Sequence, residues 1–125
     1  MNPKDAKVLL IATSSPDNPK QCPAPFLFAQ EAVKLGANVT ICFVAEAPLM
    51  LKQGVAEKVF PKEEQRPLSE LIAETLEAGV KISVCGAALE LVSMTPDDLI
   101  EVVEDLVGPS FPITEGLKSD LVLTF

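Results

Sequence analysis

Sulfur is the reactive element this chain offers. Cys22, Cys42 and Cys85 are its three cysteines and histidine is absent, which excludes imidazole-based triads and imidazole-ligated metal sites. The three thiols cannot all pair within one molecule, and none forms the C-x-x-C couple of a zinc site or dithiol motif. Thiol or carboxylate chemistry remains. Cys85 is the leading candidate, because it closes the apolar run Val80 to Val84 and opens the helix-forming stretch Gly86-Ala87-Ala88-Leu89-Glu90-Leu91. A sulfur at a strand-to-helix junction faces the free N–H groups of the first helical turn, whose partial positive charge favours thiolate over thiol. Free cysteine has a pKa of about 8.5, and each unit of depression raises the thiolate fraction near neutral pH tenfold. Such a thiolate can attack a persulfide or disulfide and hold the sulfur. The competing reading makes Cys85 a small apolar residue packed under a helix, as cysteines often are, and position alone does not decide between the two. Cys42, between Ile41 and Phe43 in a strand, reads as inert core. Cys22, between Gln21 and Pro23, reads as a more exposed loop thiol and an accessory candidate for resolving or relaying sulfur.

The elements that must position these thiols alternate strand and helix. Lys7 to Thr13 is an apolar strand, Ser14 to Gln21 a polar loop, and Pro23 to Leu35 a helix that Gly36 ends. That helix is apolar around much of its girth, with Gln30, Glu31 and Lys34 as its wet stripe, so it is expected to touch both the sheet and a neighbour. Asn38 to Val44 is the second strand, Pro48 to Gln53 a short helix, and Val55 to Phe60 a short strand or turn. The mixed-sign run Lys62-Glu63-Glu64-Gln65-Arg66 reads as a solvated loop. Pro67 to Ala78 is an amphipathic helix stopped by Gly79, and Lys81 to Cys85 is the next strand. Thr95-Pro96-Asp97-Asp98 supplies an N-cap, a first-turn proline and acid, which predicts a helix running to Gly108-Pro109. Leu121 to Phe125 closes the chain as a buried-type strand.

This order predicts an α/β fold: a single domain over residues 1–125, three-layer α/β/α, with a mostly parallel sheet of about five strands. No internal repeat, low-complexity tract or linker interrupts it. In that architecture reactive groups gather beyond the carboxyl ends of the strands, where both Cys85 and the Ser14 to Gln21 loop belong.

Composition narrows the partners. Ten Lys plus Arg against 18 Asp plus Glu give a net charge of −8, which repels a phosphate backbone, so nucleic acid is not an expected partner. Hydrophobic residues make up 48% of the chain and mean hydropathy is +0.31, which suggests that some apolar surface lies between subunits. No apolar run approaches the ~20 residues of a membrane span, so no membrane association and a cytoplasmic location are expected. The loop Thr13-Ser14-Ser15-Pro16-Asp17-Asn18 is comparable to hydroxyl-rich phosphate loops, but it lacks glycine and carries Asp17 where an anion would sit. Without a G-x-G-x-x-G or Walker lysine either, no cofactor is expected, and a small-ligand or flavin binder is the weakest functional reading.

With these elements in order, the chain resembles the DsrE/DsrF-like sulfur-relay family, which includes the TusD-type proteins. Val8 to Thr13 is similar to the family's first strand, and Phe26 through Val39 to its helix-Gly-strand segment. Gly79 through Leu89 resembles the stretch around the family's sulfur-carrying cysteine, and Ser119 to Phe125 its closing strand. Where the family often has glycine just beyond the cysteine's helix, this chain has Leu91-Val92-Ser93-Met94. The resemblance implies a sulfur carrier or sulfurtransferase that holds a persulfide on Cys85 and passes it to a small acceptor protein. It also implies assembly into homo-oligomers, trimers or hexamers, sometimes with paralogous subunits. Some members lack the carrier activity and only build the oligomer, so a noncatalytic interaction subunit is the alternative expectation.

Overall fold

The computed structural model describes residues 2–62, 65–103 and 105–125. Its elements are β1 (Lys7–Ala12), α1 (Ala24–Lys34), β2 (Asn38–Phe43), α2 (Leu68–Glu77), β3 (Lys81–Cys85), α3 (Gly86–Leu91), β4 (Asp105–Val107), α4 (Ser110–Lys118) and β5 (Leu121–Thr124). Single 3-10 turns cover Ala47–Leu51, Ala56–Lys58 and Pro96–Asp98. The five strands form one parallel sheet in the order β4-β3-β2-β1-β5. The chain therefore steps outward from β1 to β4, and α4 carries it back across the sheet to β5 on the far side of β1.

Side chains alternate across a strand, so each sheet face has its own residue set. Val8, Leu10 and Ala12 of β1, Val39, Ile41 and Phe43 of β2, and Ile82 and Val84 of β3 share one buried cluster with Phe26 and Ala29 of α1 and Leu68, Leu71 and Ile72 of α2. Within it the rings of Phe26 and Phe43 lie tilted at 5.8 Å. Burying a side chain of this size contributes roughly 1.5–3 kcal/mol, which makes this face the main source of stability. Residues of opposite parity, including Leu9, Cys42, Ser83 and Cys85, look the other way. Over them lies α4, whose Gly116 sits close enough that a Cβ there would stand 3.8 Å from Leu9 Cδ2 and Val122 Cγ2. An ion pair of 2.7 Å between Lys7 Nζ and Glu115 Oε1 ties α4 to the amino end of β1.

Helix ends explain why α1 and α2 stop where they do. Gly36 (φ +96°) and Gly79 (φ +92°) adopt the left-handed conformation that closes a Schellman cap. The following residues donate back into the helices, Ala37 N–H to Ala32 O at 3.0 Å and Val80 N–H to Thr75 O at 3.4 Å. Helix α3 ends in the same way with a non-glycine residue: Ser93 takes φ 57° and Met94 N–H donates to Leu89 O at 2.9 Å.

One expectation is corrected, one open reading is decided and one helix is added. The helix foreseen from Thr95 to Val107 is only a 3-10 turn, closed by Thr95 N–H donating to Asp98 Oδ2 at 2.8 Å. Beyond it the β-branched Ile100, Val102 and Val103 resist helix, and Asp105–Val107 pair with Ser83–Cys85 as the edge strand β4; Glu104 lies outside the described residues. Of the strand or turn read at Val55 to Phe60 the structure takes the turn, a 3-10 turn at Ala56–Lys58, and the remaining strand of the sheet is β4. Helix α4 was not foreseen at all. Of the run Lys62 to Arg66, Glu63 and Glu64 lie outside the described residues, while Arg66 is exposed and forks onto the Glu74 carboxylate of α2.

Candidate functional site: the thiols of the sheet

Cys85 is the last residue of β3 and the N-cap of α3, with extended backbone (φ −71°, ψ 115°) and no side-chain capping hydrogen bond. It is 7% exposed. Its register partner is Val107 at the end of β4, so the sulfur belongs to the carboxyl rim near the β4 edge of the sheet. By strand parity it shares a face with Ser83 and, on β2, with Cys42 and Thr40. A groove of about 350 Å³ runs along this face, lined by Thr40, Lys81, Ser83, Asp105, Phe111 and Glu115 among others. The face thus carries hydroxyls, carboxylates and lysines, where the opposite face carries hydrocarbon.

Cys42 is fully buried in β2, in register with Ser83. Burial pushes its thiol up to about 11, with coupling to the Cys85 thiol a second, smaller cause. Strand order and register make Cys42 and Cys85 diagonal neighbours on adjacent strands. Reading Cys42 as plain core missed this, because a single strand's sequence shows its alternation but not which strand lies beside it or in what register.

Cys22 is placed differently from its expectation as an exposed loop thiol. It is 0% exposed and belongs to the α1/α2-side cluster. The loop folds back on itself: Asn18 N–H donates to Ser15 O at 2.9 Å, Cys22 N–H to Asn18 O at 3.1 Å, and the Cys22 thiol to Ser15 O at 3.1 Å. The sulfur so enclosed is pushed up to about 11, by burial first and the charge of Asp17 second. The structure brings Cys42, and not Cys22, onto the face of Cys85. In the same loop Ser15 is buried and its hydroxyl accepts Asp17 N–H at 3.1 Å, so its polar groups serve the turn.

Leucines and phenylalanines that the sequence assigned to the first helix divide between core and surface, as its apolar girth predicts. Phe26 is buried, whereas Leu27, Phe28 and Leu35 are exposed beside the open edge strand β5, whose Leu121 and Val122 are also exposed. Phe28 stacks edge-on against Phe125 at 5.0 Å. Ile113 and Leu117, one turn apart on α4, are exposed as well. Among the described residues no helix is long and apolar enough to cross a membrane.

An open parallel α/β sheet with a thiol on its carboxyl rim defines the class of protein. The DsrE/DsrF-like family model matches residues 6–125, and the chain belongs to that family. The Uncharacterized protein MJ0760 of Methanocaldococcus jannaschii is 28% identical over 109 residues, covering 84% of this chain and 38% of that protein. Our chain thus spans well under half the length of this relative. Among solved structures, the ychN protein of E. coli superposes with a TM-score of 0.78 at 15% identity, over 96% of this chain and 99% of that one. A protein of unknown function from Methanobacterium thermoautotrophicum, MTH1491, gives 0.66 at 16% identity over 97% and 100%. At such identities the likeness speaks for the fold.

Proposed function

We propose that this chain is a sulfur carrier in which Cys85 holds a persulfide and yields it to a thiol of a partner protein. One observation carries the reading: in a chain of this family, Cys85 ends β3 and caps α3 on the carboxyl rim, and it keeps 7% exposure while Cys22 and Cys42 keep none. The Cys85 thiolate attacks the outer sulfur of a donor persulfide, the donor leaves as a thiol, and the acceptor later repeats the step on Cys85. The exchange needs a thiolate, an accessible sulfur and a partner thiol but no imidazole, in keeping with a chain that lacks histidine. Incubation with a persulfide donor followed by intact mass measurement tests it. Wild type is expected to gain one sulfur atom and Cys85→Ser none; no gain in wild type, or equal gain in both, rejects the reading.

A second reading, a noncatalytic subunit that builds an oligomer, is favoured by the apolar belt around β5 and by the deep setting of Cys85. Both readings share a proposed assembly with copies of the chain or with paralogues through that belt. They part at Cys85, which an assembled carrier must leave open to electrophiles and a scaffold need not.

A further inference from the structure

The α4-side face holds two cysteines where the carrier reading uses one. Cys42 pairs in register with Ser83, and Cys85 follows two residues later on the same face of β3, so the two thiols are diagonal neighbours on adjacent parallel strands. Strands lie about 4.8 Å apart and rise about 3.3 Å per residue, which sets the diagonal between such Cα atoms at about 8 Å. A disulfide closes Cα separations of about 4.4–6.8 Å, so the pair is too far apart to bond directly without backbone movement. One additional sulfur extends the reach of Cys85 by an S–S bond of about 2.05 Å, which makes up the deficit.

Resting on the carrier reading, we propose that Cys42 is an interior relay site that takes the outer sulfur of a Cys85 persulfide. The Cys42 sulfur attacks that outer sulfur, the S–S bond to Cys85 breaks, and a new S–S bond forms on Cys42. Cys85 departs as thiolate, and the proton lost by Cys42 restores its thiol. One sulfur atom moves and nothing is oxidised or reduced overall, so no co-reactant is required. Attack on the inner sulfur would instead expel hydrosulfide and leave a Cys42–Cys85 disulfide, the bond that the diagonal is too long to accept. Burial gives the relay its character. A thiol pushed up to about 11 is ionised in only about one part in ten thousand at pH 7, so transfer is slow. Once on fully buried Cys42, the sulfur is shielded from reagents that strip the rim. The carrier would then hold a rapidly exchanging sulfur on Cys85 and a slowly released one beneath it.

The test loads the intact protein with glutathione persulfide at neutral pH, removes the donor, and samples over time. Each sample is split: one half is denatured, alkylated and mapped by peptide mass directly, and the other is first treated with cyanide, which takes accessible sulfane sulfur as thiocyanate, and then mapped in the same way. In wild type, added sulfur should appear first on the Cys85 peptide and later on the Cys42 peptide, together with a growing cyanide-resistant fraction. Cys42→Ser should load on Cys85 as wild type does but lose the resistant fraction by about tenfold or more. Sulfur confined to Cys85 in wild type at every time overturns the relay and leaves the carrier intact; so does a Cys42–Cys85 disulfide with release of hydrosulfide. No added sulfur on either peptide overturns both. The wild-type map decides even if Cys42→Ser folds poorly.

Discussion

The two faces of the sheet are built from alternate residues of the same strands, yet they differ in kind. Under α1 and α2 the strands present Val8, Leu10, Val39, Ile41, Phe43, Ile82 and Val84, all buried against hydrocarbon. Under α4 they present Leu9, Thr40, Cys42, Ser83 and Cys85 beside a groove edged by Lys81, Asp105 and Glu115. Helix α4 has no fully buried residue of its own, so its cover is thin. One face supplies the stability that lets the other keep polar, titratable and sulfur-bearing groups, a division that a two-residue repeat makes available to any strand.

That contrast can be broken by substitution. Truncation on the hydrocarbon face should have the largest effect: Phe43→Ala removes a fully buried ring packed on Phe26 and should cost about 3–5 kcal/mol in denaturant unfolding. Ser83→Ala, on the other face of the neighbouring strand, should cost about 1 kcal/mol or less. Equal losses would mean that the faces do not divide as described.

Alkali sharpens the comparison, because each face encloses one high-pKa thiol. Cys22 and Cys42 rise from 9.0 to about 11 in the folded chain, so the fold prefers their protonated forms. Below pH 9 both states keep the proton and this stability is complete. Between pH 9 and about 11 the unfolded chain releases protons that the native chain retains, and stability falls by on the order of 2–3 kcal/mol per thiol. Unfolding midpoints measured across that window should drop, and Cys22→Ala should remove about half of the drop.

Smaller effects belong to the edges of the thiol-bearing face. Ser93 closes α3 in a conformation that glycine adopts without strain, so Ser93→Gly should stabilise by about 1 kcal/mol, read as a raised melting temperature. Lys7→Met should cost about 0–1 kcal/mol, since the pair with Glu115 is only partly shielded from water, and the loss should shrink further in high salt.

The sequence carried the first half of the fold well because its signals there are local. The helix read over Pro23 to Leu35 appears as Ala24–Lys34, and Gly36 and Gly79 cap their helices as glycines should. The junction at Cys85 was legible for the same reason, since an apolar β-branched run meeting Gly-Ala-Ala-Leu announces itself. The second half misled. Thr95 to Asp98 is a working N-terminal signal, but it opens one turn, and further on Asp105–Val107 pair with the free edge of β3 instead of continuing a helix. Helix α4 was hidden by its own composition: Pro112 and Gly116 are poor helix formers. The helix forms where α4 packs over Leu9 and Val122, a tertiary reason that no propensity reports. The adjacency of Cys42 and Cys85 was likewise beyond reach, since it depends on strand order and register.

Alkylation of the native protein with iodoacetamide, mapped by peptide mass against time, tests the central claim most directly. The account predicts that Cys85 alone is modified while the protein stays folded, and that Cys22 and Cys42 follow only on unfolding. A native protein in which Cys85 reacts no faster than Cys22 and Cys42 contradicts it.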